Sequence, residues 1–292
     1  MKVLYITGLY HKQQYCQEEK LRYMNRVFYK ARAEDIDIMV ATTVNNSPKS
    51  FTKWLTDLHE RKARFPWTIK DIGQKDYWMD IKDKVDAIRL DPMTGKTERA
   101  EGWNELKEDY YFNLKQYDLY RLMAEVFNDG IDQAIAGGYD YMSILSGDQL
   151  PPIGHAAEFV GFLEEHKDAG MVCGLMFFDY SKKRMVVEGK EVTGLRPMLS
   201  RRNPDENRWL YDNLLPNEKN GYTGLEYAEI DRCGNGGVMI KRAAFERVRF
   251  ATEFDGRGED IRYCDDLKAA GFKLFVKPTV YIPNRYPDGQ LY

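Results

Sequence analysis

The spacing of apolar and polar positions divides the chain into short strands and amphipathic helices. Val3 to Thr7 is a β-branched and aromatic run ended by Gly8, and it reads as a first strand. Gln17 to Ala31 follows, with Leu21, Met24, Val27, Phe28 and Ala31 at helical spacing. Ile36 to Ala41 predicts a second strand, and Thr42-Thr43-Val44-Asn45-Asn46-Ser47-Pro48 a polar turn behind it. Phe51 to Arg61 gathers Phe51, Trp54, Leu55 and Leu58 on one helical face, and Val85 to Leu90 offers a third strand. The strongest helical pattern is Tyr117 to Ala136, stopped by Gly137-Gly138. A largely apolar run, Tyr141 to Leu145, then breaks at Ser146-Gly147-Asp148 and closes on Pro151-Pro152. That run predicts a buried strand delivering one carboxylate to the mouth of a sheet.

The second half continues with a short helix, His155 to His166, and an apolar strand, Gly170 to Phe178. Residues 181–232 are polar, broken by Pro and Gly, and carry Lys182-Lys183-Arg184 and Arg201-Arg202. They predict an irregular, loop-rich insertion rather than a domain. Cys233 to Ile282 is regular again, with a strand, a helix, a Gly-rich turn, a helix and a last strand. Strands alternating with helices are the signature of an α/β domain with a mainly parallel sheet. The expectation is a single domain over residues 1–292, with the insertion at 181–232.

Composition narrows the partners. A 43% hydrophobic fraction suffices for a core, and a net charge of -3 gives no global basic excess of the kind nucleic-acid binders show. Cys16, Cys173, Cys233 and Cys264 are far apart and form no CxxC pair, so reduced, mostly buried thiols are expected, and a zinc site is not. No window approaches the roughly 18 apolar residues of a membrane helix. The N-terminus is apolar for too few residues to be a signal peptide, and a cytoplasmic location is expected.

In open α/β sheets, ligands bind beyond the carboxyl ends of the strands. Asp148 is therefore the first candidate for chemistry, because a carboxylate there can hold a hard cation against phosphate oxygens. A second acidic cluster, Gly258-Glu259-Asp260, opens a helix with Ile261, Cys264 and Leu267 on one side, where the helix dipole favours negative charge. Capping alone also accounts for acids in a first turn. Gly234-Asn235-Gly236-Gly237 precedes an apolar strand, and it is read either as room for a sugar or diphosphate or as a tight turn. It lacks the ending of a P-loop, and the first strand carries no dinucleotide fingerprint.

The order of these pieces resembles the GT-A glycosyltransferases, most closely the family-2-like group that uses nucleotide sugars. The resemblance is carried by Asn128 to Ala134 with Tyr139 to Asp148, by Gly236 to Phe245, and by Gly258 to Phe272. It covers residues 117–180 and 233–283 well, residues 1–48 more weakly, and neither 49–116 nor 181–232. It implies a GT-A-like fold with a nucleotide-binding half, 1–150, and an acceptor-binding half, 151–292. Asp148 resembles the last acid of the DxD motif, which binds Mn²⁺ or Mg²⁺ on the donor's diphosphate. Ser146 stands in place of the first acid, so Ser146-Gly147-Asp148 is a degenerate form.

By the same resemblance Asp260 is the catalytic base and Glu259 its acceptor-binding or helix-capping neighbour. The nucleotide sits over the ends of the first two strands, at Thr7, Gly8, Tyr10, Thr42 and Asn45, and Gly236 and Gly237 line the donor. The group's Arg-Asn pair stands here as Phe127-Asn128, and the C-terminal region Val280 to Asn284 has no His. The implied donor is a nucleotide sugar, here a UDP-sugar. The acceptor hydroxyl belongs to a glycan, a protein or a modified nucleic acid. Alternatives are an inactive nucleotide-sugar-binding module on the same fold, or a nucleotidyltransferase.

Overall fold

The computed structural model describes residues 1–73, 107–179, 185–187, 190–192, 195–203, 208–210, 226–253 and 258–291. Among them, eight strands form the central sheet: β1 (Lys2–Leu9), β2 (Asp37–Val44), β3 (Trp67–Asp71), β4 (Tyr141–Ile144), β5 (Ala169–Leu175), β6 (Ala228–Ile230), β7 (Val238–Lys241) and β8 (Lys273–Tyr281). Their order is β6-β8-β5-β7-β4-β1-β2-β3. β7 runs against both its neighbours and β6 against β8, while the other pairs are parallel.

Among the described residues, six α-helices accompany the sheet: α1 (Gln17–Ala33), α2 (Lys49–Lys62), α3 (Lys107–Ala136), α4 (His155–Glu165), α5 (Arg242–Phe245) and α6 (Glu259–Ala269). Strand alternation sorts the core into two layers. Val3 and Tyr5 of β1 pack with Leu21 and Met24 of α1, Leu58 of α2 and Phe159 of α4. Leu4 and Ile6 point the other way, to Ala124 and Phe127 of α3 and to Tyr263 and Leu267 of α6. A sheet covered on both faces explains why its inner strands read as near-continuous apolar runs.

Some expectations shift. The turn expected at Thr42 is still strand, since β2 runs to Val44 with Thr42 and Thr43 buried. Their β-branched side chains suit a covered strand, and the turn falls at Asn45 and Asn46 instead. The third strand is Trp67–Asp71, a short strand at the edge of the sheet. The strand expected at Val85 to Leu90 lies outside the described residues. The insertion is not merely loop. It holds the short antiparallel pair Met185–Val187 with Lys190–Val192, and its Leu195–Pro197 pairs with Phe177–Asp179 just before it. Leu199–Asn203 pairs with both Arg208–Leu210 and Arg232–Cys233. All four cysteines are unpaired and buried. Among the described residues, no helix is long and apolar enough to cross a membrane.

Candidate active site at the carboxyl edge of the sheet

β1, β2 and β4 end at one edge of the sheet, and the segment from Ser146 to Asp148 turns there directly after β4. Side chains from α1 hold this turn from below. Lys20 Nζ donates to the Ser146 carbonyl at 2.7 Å and to Thr7 Oγ1 at 3.4 Å. Gln17 Nε2 donates to the Gly147 carbonyl at 2.8 Å. Gln149 closes the turn from the far side by accepting the Ser146 amide at 2.8 Å. Gly147 must be small, because a Cβ there would run into the Gln13 side chain and lie 2.7 Å from Leu9 Cδ1. The C-terminal segment straps the turn, with the Arg285 amide donating to the Asp148 carbonyl at 2.7 Å and the Leu150 amide to that of Pro283 at 3.1 Å.

The Asp148 carboxyl is half-buried. Burial raises its pKa above the ordinary value, and a backbone hydrogen bond and the Lys20 charge partly offset the rise. Lys20 itself is 6% exposed, and desolvation lowers its pKa to about 8. Tyr10 and Tyr15 stand at the mouth, each partly exposed, and the Asp148 charge contributes to the raised pKa of both phenols.

The Asp260 half of the site joins this turn through Gln149. The Gln149 side chain occupies the space that a Cβ on Gly236 would need. Gly237, at φ +66°, donates its amide to the Ile144 carbonyl at 2.8 Å, and the start of β7 is thereby fixed opposite the end of β4. Two residues before Gly236, Gly234 faces Asp260, whose Oδ2 would lie 3.8 Å from a Cβ at that position. So the Ser146–Asp148 turn, the 234–237 loop and the first turn of α6 share one edge.

The residue before α6, its N-cap, is Gly258, so neither acid fills that position. Asp260 Oδ1 accepts the Ile261 amide at 2.7 Å. Burial lifts the Asp260 pKa to about 6, against the pull of the Ile261 amide and of Arg232. Arg232 is held in a two-pronged pair with Asp265, Nε to Oδ1 and Nη2 to Oδ2, both 2.8 Å. Glu259 is pushed further up, by burial first and then by the Asp260 charge. The two carboxyls titrate as a coupled pair, both raised by burial and Glu259 the more strongly of the two. The Asn235 amide lies close enough to Glu259 to offset part of that rise, yet the two reach no normal hydrogen-bond geometry.

The remaining expected positions fall on the same edge with one exception. Thr7 and Thr42 are paired neighbours at the ends of β1 and β2, and both are buried. Gly8 lies against Met123 of α3, whose Cε would be 2.7 Å from a Cβ. Asn45 is buried and donates its backbone amide to the Leu9 carbonyl at 3.0 Å. Asn128 is the exception: its amide spans to the Phe250 backbone, Nδ2 to the carbonyl at 2.8 Å and Oδ1 from the amide at 2.9 Å.

The donor set fits a divalent cation in one way only. Among the described residues no three His, Cys, Asp or Glu side chains gather as a metal cage. Asp148 alone, with Lys20 nearby, fits an ion that brings phosphate oxygens as its other ligands.

No protein-family model matches the chain, and no curated protein matches it. Solved structures do. TarS from S. aureus superposes at a TM-score of 0.50 with 11% identity, over 97% of this chain and 36% of that one. A mannosyltransferase from Pyrobaculum calidifontis, solved with GDP-Man and Mn²⁺, gives 0.47 with 14% identity, over 96% of this chain and 55% of that one. A197 from STIV gives 0.42 with 13% identity, over 100% and 93%. Of these three, TarS alone reaches one half. At that identity the likeness shows a shared fold, the GT-A-like α/β architecture, and this chain spans about a third of the length of TarS.

Proposed function

We propose that this protein is a glycosyltransferase that moves a sugar from a nucleotide-sugar donor, such as a UDP-sugar, to an acceptor hydroxyl. The observation that carries this reading is the convergence of the Asp148 turn and the Asp260 helix on one sheet edge, bridged by Gln149 against Gly236. A diphosphate needs polar and cationic partners near Asp148, and a departing proton needs a carboxylate of suitable basicity. Asp260, with a pKa of about 6, is ionised at neutral pH and still basic enough to accept a proton.

The reaction follows from these roles. The acceptor hydroxyl oxygen forms a bond to the anomeric carbon of the donor sugar. The bond from that carbon to the diphosphate oxygen breaks, and the diphosphate leaves with the electron pair. Asp260 takes the hydroxyl proton. Lys20 and Gln17 hold the Ser146–Gly147 carbonyls so that the Asp148 carboxyl stays in place. Asp148 would hold a Mn²⁺ or Mg²⁺ ion arriving with the donor, and that ion supplies Lewis-acid neutralisation of the leaving diphosphate.

The test is nucleotide release from a panel of UDP- and GDP-sugars, with and without EDTA, for the parent and for Asp148→Ala and Asp260→Ala. Release from one donor that both variants lose supports the reading. Undiminished release in both variants removes it. Ser146, where a second acid would strengthen a cation site, favours a second reading, a binding module without transfer. Calorimetry showing nucleotide-sugar binding with no release from any donor would select it.

A further inference from the structure

The amino edge of the sheet, opposite the Asp148 turn, carries a cleft of about 490 Å³ where β4 begins and β7 ends. Five charged residues line it: Asp140, Glu164, Lys241, Arg242 and Glu246. Three of them are matched. Arg242 Nε pairs with Glu246 Oε1 at 2.7 Å, and Glu164 takes Lys167 Nζ at 3.1 Å and the Tyr141 phenol on its two oxygens. Asp140 and Lys241 differ: among the described residues, neither forms an ion pair. The Asp140 carboxyl accepts the Lys2 amide at 2.9 Å, and Lys241 Nζ makes a single long bond, 3.4 Å to the His166 carbonyl. Burial lowers the Lys241 pKa further than the Glu164 charge raises it. The Met1 ammonium, also at the cleft, is bonded to the Asp35 carbonyl at 3.1 Å.

The two unmatched charges stand on neighbouring segments of the sheet. Lys241 is the register partner of Tyr141, and the Arg242 amide donates to the Asp140 carbonyl at 2.9 Å. Yet the Asp140 and Lys241 side chains form no pair with each other. A cation and an anion left open in one cleft select a ligand by its charges. A lone anion satisfies Lys241, but Asp140, Glu164 and Glu246 repel it. A lone amine suits Asp140 and meets Lys241 with like charge. A molecule with one carboxylate and one ammonium answers both through charge-assisted hydrogen bonds, and it adds no net charge. Met1 and Ala243 supply an apolar wall for the carbon chain between the two groups.

We propose that this cleft binds an amino acid as its zwitterion, with the carboxylate on Lys241 and the ammonium on Asp140. The site is separate from the edge that carries Asp148 and Asp260. It goes beyond the transferase reading and does not depend on it.

Saturation-transfer NMR on the full chain, at low ionic strength and without any nucleotide sugar, tests the site. The probes are glycine, 4-aminobutyrate, 6-aminohexanoate and L-lysine, which differ in the spacing of carboxylate and ammonium. Hexanoate and hexylamine are the controls that carry one charge each. At least one amino acid should bind saturably, and more tightly than either control. Lys241→Met, which keeps the length of the side chain, should weaken that binding about tenfold. Asp140→Asn should do the same, while still accepting the Lys2 amide. Lys241→Gln is measured alongside, and the comparison uses variants that retain the parent's melting transition. Three results would each overturn the proposal: no amino acid binds, a control binds as tightly as the best amino acid, or the variants bind it as the parent does. No donor is present, so the outcome is independent of whether the protein transfers sugar.

Discussion

Lys20 on α1 donates to the Ser146 carbonyl at 2.7 Å, so a buried ammonium fixes the backbone that presents Asp148. The same ammonium reaches Thr7 at the end of β1, and the first and fourth strands are thus tied at the edge where ligands of α/β sheets bind. Lys20→Met should keep the fold, since it replaces a desolvated cation by an apolar chain of similar length. It should lower nucleotide release by about 10- to 100-fold, the usual cost of losing a residue that orients a metal or diphosphate ligand. Unchanged turnover in Lys20→Met, with an intact melting transition, would remove the positioning role.

Burial of the Asp260 carboxyl makes the stability of the fold depend on pH. Its folded pKa of about 6 lies above the ordinary 3.8, so between those values the folded protein holds a proton that the unfolded chain does not. Stability from this group is greatest at low pH and is lost as pH rises through about 6. Asp260→Asn should therefore melt higher than the parent at pH 8, by on the order of 1–3 kcal/mol, with the difference closing by about pH 4. Activity runs oppositely: kcat/KM should rise with pH through about 6, and Asp260→Asn should lose about 10²- to 10⁴-fold. Thermal melts and initial rates across pH 4–8 measure both.

Much of this arrangement is legible in the sequence. The Asp148 turn is visible because an apolar run stops at Ser-Gly-Asp, and the Asp260 helix because two acids follow a glycine. Lys20 leaves a fainter trace. Gln17, Lys20, Met24, Val27 and Ala31 all lie on the buried face of α1. A Gln and a Lys at the head of an apolar stripe signal that its first turn faces something polar. β3 escapes notice for a different reason: at five residues ending in Lys70 and Asp71, its alternation is too short to stand out.

A buried polar pair should make the fold acid-sensitive. Tyr5 Oη and His155 Nδ1 lie 2.8 Å apart between β1 and α4, and the other His155 nitrogen has no partner. Burial drives the His155 pKa from 6.5 down to about 3, so the ring stays neutral in the fold. The unfolded chain takes up a proton there below about pH 6.5, and the stability contributed by this group is lost as pH falls from that value towards 3. The loss approaches about 1.4 kcal/mol per pH unit in the middle of that window. Urea denaturation at pH 7 and pH 5 should show a shallower fall for His155→Gln than for the parent. Tyr5→Phe should cost about 1–3 kcal/mol at pH 7, because it strands the imidazole.

Asn128 separates a structural role from a donor contact. Its position matches the Asn of the Arg-Asn pair in the GT-A resemblance, which would put it on the donor's phosphates. Its amide is instead bonded at both ends to the Phe250 backbone. Phe250 in turn stacks on Tyr263 of α6, with ring centroids 3.8 Å apart and planes 9° from parallel. The side chain therefore braces the Phe250 segment that packs against the helix carrying Asp260. Asn128→Ala should destabilise the fold by about 1–3 kcal/mol, through two lost bonds and a stranded Phe250 backbone. The KM for the nucleotide sugar should stay at the parent value, while kcat falls if the α6 start shifts. A donor KM raised tenfold in Asn128→Ala, at temperatures well below its melting transition, would instead put the amide on the diphosphate and require the Phe250 bonds to open when donor binds.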